Sequence, residues 1–120
     1  MKKINIAEQL ATFSEHWQPL IVGELNGQHV KLAKLQGEFL MHHHDAEDEL
    51  FLVISGRLVI AFEDSRVMLE PGEFLVIPRG VPHMPIAEQE VAVMLFEPAS
   101  TRNTGNVIND RTITAPRSIA

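Results

Sequence analysis

A chain of 120 residues that is 45% hydrophobic can bury one ordinary core, and the absence of cysteine removes disulfides and thiolate metal sites from consideration. A net charge of −6, with ten scattered Lys and Arg residues, argues against a phosphate-binding surface, so no nucleic-acid partner is expected. No stretch approaches the roughly 20 apolar residues that span a bilayer, so no membrane partner is expected either.

The N-terminus, MKKINIAEQLATF, has neither a long apolar run nor a small-residue cleavage site. No secretory leader is expected, and the expected location is cytoplasmic. Residues 5–17 read as a helix: Ile6, Leu10, Phe13 and Trp17 recur at three- and four-residue spacing, and Asn5 with Glu8 forms a box-like cap.

From Pro19 the period changes. Apolar runs alternate with turn residues: PLIVGEL before Asn26-Gly27, HVKLAKL before Gln36-Gly37, EFLMHHH, ELFLVI before Ser55-Gly56, RLVIAF, RVMLE before Pro71-Gly72, EFLVI before Pro78, and VAVMLFEP. About eight short strands with tight turns predict an all-β sandwich or barrel. The whole chain, 1–120, reads as one domain, with a barrel core at about 19–98. Runs such as LFLVI are apolar on both sides, which predicts a second contact outside the barrel, either the N-terminal helix or another subunit. The polar segment 101–120 is expected to be a frayed tail or an arm laid along a partner. Together these features predict a homodimer, which a solution mass near 13 kDa would contradict.

The chemistry concentrates in the histidines. His42, His43 and His44 are consecutive, and on a strand His42 and His44 share one face while His43 takes the other. After the acidic loop Asp45–Asp48, Glu49 opens the next strand, where it can face the same pair. His83 follows the Pro78–Pro82 turn and supplies a third imidazole. Three imidazoles and a carboxylate suit one divalent transition metal (Fe, Mn, Ni, Cu or Zn) and, in octahedral geometry, leave two positions open. Phe51 shares parity with Glu49 and is expected to line the cavity, whereas Met41 should face away. Phe39, Phe74, Met84 and Met94 read mostly as core. His16, His29 and His43 read as surface residues.

These residues carry a family resemblance. GEFLMHHHDAEDELFLVISG, from Gly37 to Gly56, resembles the first cupin motif, G-x5-H-x-H-x3/4-E-x6-G. GEFLVIPRGVPH, from Gly72 to His83, matches the second, G-x5-P-x-G-x2-H, at every fixed position. Gly37 lies one residue too close to His42. Counting five intervening residues selects His43 and Asp45, while His42 and His44 keep both imidazoles and the gap to Glu49. Ala87 stands where the second motif ends in asparagine, and the chain has no tyrosine to act as a catalytic acid. The resemblance implies a double-stranded β-helix, or jelly-roll barrel, with a metal held by His42, His44, Glu49 and His83. It also implies a small-molecule ligand or substrate. Cupins range from dioxygenases and sugar isomerases to non-catalytic binding modules, so fold alone does not choose. The leading expectation is a metal-dependent enzyme of dioxygenase or isomerase type, and the alternative is a small-ligand binding or sensing module. Glu47, as a general base, and Arg79, as an anion partner, are weak catalytic candidates.

Overall fold

Alternating burial along the strands builds the molecule. In the computed structural model, which describes residues 1–120, a short helix α1 (Ile6–Leu10) precedes β1 (Leu20–Leu25), β2 (Gln28–Glu38), β3 (Glu49–Ser55) and β4 (Leu58–Ala61). These are followed by β5 (Arg66–Leu69), β6 (Phe74–Ile77), β7 (Met84–Pro98) and β8 (Arg117–Ser118). In β3, Glu49, Phe51 and Val53 are buried while Leu50 and Leu52 are only half-buried, the period-two pattern of a strand with one face inward.

The long strands β2 and β7 pair antiparallel from Gln28↔Pro98 to Glu38↔Ile86, with a bulge between Leu35 and Gly37 that bends the ladder. The remaining strands attach to this bent ribbon. β3 joins the C-terminal half of β7 and carries β6, whereas β4 joins the N-terminal end of β7 and carries β5. The two halves face each other as a jelly roll whose hydrogen-bonded sheet does not close into a ring. Between them lie Leu35, Phe51, Val53, Leu58, Ile60 and Val93, among other buried residues. Each fully buried aliphatic side chain of this kind contributes about 1.5–3 kcal/mol.

The expected helix over 5–17 is corrected to five residues. Asn5 caps it as expected, its side chain accepting from the Glu8 N–H at 2.9 Å. The apolar stripe then splits between two cores. Phe13 joins Leu20, Val22 and Leu32 on the outer side of the sheet, while Trp17 packs on the inner core. One helix cannot serve both, so the chain turns, and Trp17 adopts a left-handed φ of 62° with its Nε1 donating to the Gln36 carbonyl.

Two strand expectations also change. Beyond Glu38, which ends β2, EFLMHHH forms no regular strand: its one β-bridge is His42↔His83, with single backbone bonds from Phe39 to Pro85 and from Gly80 to His44 on either side. The eighth strand is instead β8, in the C-terminal segment, running parallel to β1 through Leu20↔Arg117 and Ile21↔Ser118. Segment 101–120, expected to fray or to lie along a partner, is laid on its own barrel, with Thr104 fully buried. Phe74, expected in the core, is 60% exposed because its register partner Leu52 points outward, and Val76 is exposed beside it. No helix is long and apolar enough to cross a membrane.

Candidate metal centre

The extended segment before β3 and the start of β7 are stitched together by reciprocal bonds. The His42 N–H donates to the His83 carbonyl at 3.0 Å, and the His83 N–H to the His42 carbonyl at 2.8 Å. Residues exchanging both bonds sit directly opposite with side chains on one face, so the two imidazoles lie side by side, 4.4 Å between ring centroids. His44, two residues on, returns to that face with its ring 5.1 Å from His42. Gly80, in the turn before His83, takes the left-handed φ the turn requires and donates its N–H to the His44 carbonyl at 2.7 Å. Glu49 opens β3 and places Oε1 3.3 Å from His83 Nε2 and 3.5 Å from His44 Nε2.

All four side chains are buried, and one potential ligand atom from each lies within 4.8 Å of the others. The tautomers follow from the backbone. His42 Nδ1 faces the Leu40 carbonyl and His83 Nδ1 faces the Val81 carbonyl, each at 2.9 Å. A carbonyl only accepts, so each Nδ1 carries the proton and each Nε2 keeps its lone pair for the cluster. Burial lowers the pKa of His42 from 6.5 to about 4, keeping it neutral at pH 7. Burial alone would raise Glu49, but the facing Glu97, His44 and His83 outweigh it and hold the carboxyl well below its usual range.

Whether these residues suit a metal is decided by their unmet bonding. His44 Nε2, His83 Nε2 and Glu49 Oε1 are buried without a hydrogen-bond partner, and they face one another. Leaving a buried polar atom unpaired costs about 1–3 kcal/mol each. Lone pairs from neutral imidazoles and an ionised carboxylate are the donor set a divalent cation satisfies. The cluster fits a single metal site.

The depressed pKa of His42 carries a sign for metal-free stability. Between pH 4 and 6.5 the unfolded chain holds a proton at His42 that the folded chain does not, so this contribution is lost as pH falls through that window. Glu97, raised well above its usual range by burial and by Glu49 (with Lys31 opposing), acts in the opposite sense. The parent therefore has to be compared with His42→Gln. Urea unfolding of the metal-free proteins is expected to show the parent losing about 2 kcal/mol more than the variant between pH 7 and pH 5. Equal losses would show that His42 takes up its proton as readily in the fold as in the unfolded chain.

A cavity of about 40 Å³ opens against the cluster, lined by His42, Glu49 and Phe51 together with Trp17, Phe39 and Leu95. Phe51 lines it as parity predicts, and Met41 is exposed, facing away. Trp17 and Phe39 stack at 4.8 Å, with the Arg111 guanidinium 4.5 Å from the Phe39 ring centre.

The alternative pair, His43 and Asp45, lies outside the cluster, with His43 Nε2 2.9 Å from Asp45 Oδ1. Neither weak catalytic candidate joins the site. Glu47 accepts from the Ser100 hydroxyl at 2.9 Å. Arg79 is exposed and tied to Asp48, each holding the other's charge: hydrogen bonding to Asp48 raises the Arg79 pKa, and bonds from Arg79 hold the Asp48 carboxyl below its usual range. His16 pairs with Glu90 on the surface at 2.7 Å. His29, expected at the surface, has a side chain only 16% exposed because its odd parity on β2 turns it toward the barrel's mouth.

Two residues escaped the sequence reading. Lys31 and Glu97 are buried, and Lys31 Nζ donates to Glu97 Oε1 at 2.8 Å. Their signal was parity: Lys31 alternates with inward Ala33 and Leu35, and Glu97 with inward Val93 and Leu95.

The family model for the cupin domain matches residues 28–97, more than half of the chain. The chain is a cupin. A cupin-2 domain containing protein from Shewanella frigidimarina superposes with a TM-score of 0.78 at 43% identity, covering 79% of this cupin and 93% of that chain. The uncharacterized protein YdbB of Bacillus subtilis is 38% identical over 79 residues, 65% of this chain and 64% of YdbB. Acireductone dioxygenase of Bacillus licheniformis is 30% identical over 80 residues, 60% of this chain. This cupin thus spans under two-thirds of YdbB and 45% of the dioxygenase.

Proposed function

We propose that this cupin is a metal-dependent enzyme, of dioxygenase type, that acts on a small organic molecule at His42, His44, Glu49 and His83. The observation that carries the reading is the set of buried, unpartnered ligand atoms of His44, Glu49 and His83 converging with His42. The similarity to acireductone dioxygenase favours oxygen chemistry over isomerisation.

When bound, a divalent ion in this set acts as a Lewis acid toward a carbonyl or enolate oxygen and, as Fe(II), gives access to O₂ chemistry. The chain's own residues do the rest. The backbone carbonyls of Leu40 and Val81 orient His42 and His83. Phe51, Leu95, Trp17 and Phe39 give the cavity an apolar wall that limits water. At about 40 Å³ the cavity holds roughly three waters, so only a few substrate atoms reach the cluster while the remainder rests near the Trp17–Phe39 stack.

Oxygen uptake tests the proposal. Protein loaded in turn with Fe(II), Mn(II), Ni(II) and Zn(II) is offered small diketones, thiols and sugar phosphates. The Fe(II) form is expected to consume O₂ with one class at more than about 100 times the metal-free rate. Ligand binding without uptake or isomer formation under any metal would move the protein to the binding-module reading. The same reading retains a homodimer, supported by the outward apolar face around Phe74 and Val76.

A further inference from the structure

The Lys31–Glu97 pair has no place in the ligand set, yet it lies against it. Glu97 faces inward from β7, and the β3–β7 register of Leu50↔Phe96 puts Glu49 directly opposite it. The two carboxyls meet, and both line the cavity. Like charges placed opposite each other on neighbouring strands repel, and burial strengthens the repulsion. Lys31, on the adjacent β2, supplies one compensating cation through its 2.8 Å bond to Glu97 Oε1.

As a device for stability the arrangement is poor. Burying an ion pair costs desolvation, and apolar residues of similar volume commonly do as well or better. A positioning role accounts for it instead. Glu49 is the one carboxylate of the cluster, and Oε1 must point at His44 Nε2 and His83 Nε2. The backbone orients His42 and His83 through their Nδ1 atoms, whereas Glu49 has only the facing side chains to fix its rotation. We propose that Lys31 and Glu97 form a positioning pair: Lys31 anchors the Glu97 carboxyl, and Glu97 holds the Glu49 carboxylate so that Oε1 faces the imidazoles and sets metal affinity. The inference rests on the metal-binding reading.

Cobalt(II) titration of the metal-free protein tests it, with affinity and the visible d–d spectrum as readouts. The variants are Glu97→Gln, Glu97→Leu and the double Lys31→Leu/Glu97→Leu. Glutamine keeps a group that accepts from Lys31 and can donate to Glu49, so its affinity is expected within about 3-fold of the parent, with the same spectrum. Both leucine forms are expected to bind about 10–100-fold more weakly, with a shifted spectrum. The double variant replaces the whole pair by apolar volume, so its metal-free form is expected to unfold at no lower urea concentration than the parent, which separates positioning from folding. A parent that binds cobalt and a double variant that matches it in affinity and spectrum would overturn this inference alone. A parent that binds no cobalt would overturn the metal reading and this inference with it.

Discussion

His83→Leu is expected to abolish metal binding while leaving the metal-free fold about as stable as the parent. His83 is 1% exposed and sits at the junction of the site: it forms the backbone bridge to His42, and its Nε2 approaches Glu49 Oε1. Leucine keeps the volume but removes the lone pair. Losing one of four ligands should weaken binding by more than about 100-fold, since outer partners alone are worth 10–100-fold. The metal-free parent already carries an unpartnered Nε2 at this position, so its removal relieves a cost while the bond to the Val81 carbonyl is lost. The two nearly cancel, to within about 1 kcal/mol. Metal at 100 times its Kd should stabilise the parent by about 2.7 kcal/mol, roughly 10 °C in Tm for a chain of this size, and leave the variant's melting unchanged. His42→Ala and His44→Ala should also lose the metal, and His43→Ala should retain it. Elemental analysis with thermal melts reads all four, and metal lost from His43→Ala but kept by His42→Ala would transfer the site to the other register.

The legible and illegible parts of this molecule divide by the range of the interaction that decides them. Strand parity is local, so His42, His44, Glu49 and Phe51 could be assigned to one face before any fold was known. Turn residues are local as well, and they placed β1, β3, β4 and β6 within a residue or so. β7 begins at Met84 rather than Val91 because the strand runs on through exposed Glu88, Gln89 and Glu90, which fall in the register shift between Leu35↔Val91 and Gly37↔Ala87 and break the apolar alternation. The helix ended early because Phe13 and Trp17 answer to different cores, which no periodicity encodes. Lys31 and Glu97 were hidden because a charged residue is ordinarily exposed: parity turns both inward, but the pairing that makes their burial tolerable spans 66 positions of sequence.

The C-terminal segment was the least legible element, and the largest fold-level effect is expected there, at Gly105. This residue has φ +57°, and a Cβ placed on it would overlap the His43 carbonyl oxygen and lie 3.0 Å from His42 Cδ2. Its neighbours fix it in place: Asn106 donates its N–H to the His43 carbonyl and accepts from the His43 N–H through Oδ1, both at 2.9 Å. These bonds supply the pairing that the His42–His44 segment lacks as a regular strand. Arg102 Nε donates to the Gly105 carbonyl at 2.8 Å, and Thr104 is fully buried beneath. Gly27 provides the comparison, with a similar φ of +78° but nothing near its Cβ position. Gly27→Ala should therefore cost only the left-handed backbone term, about 1 kcal/mol. Gly105→Ala adds an overlap that backbone cannot relieve without breaking the Asn106 bonds, for a total of about 3 kcal/mol. Because the displaced atoms belong to His42 and His43, Gly105→Ala should also weaken metal binding, which Gly27→Ala should leave alone. Urea unfolding and metal titration of the two variants side by side decide the matter, and equal losses in both would mean that the arm rests on the ligand segment without holding it.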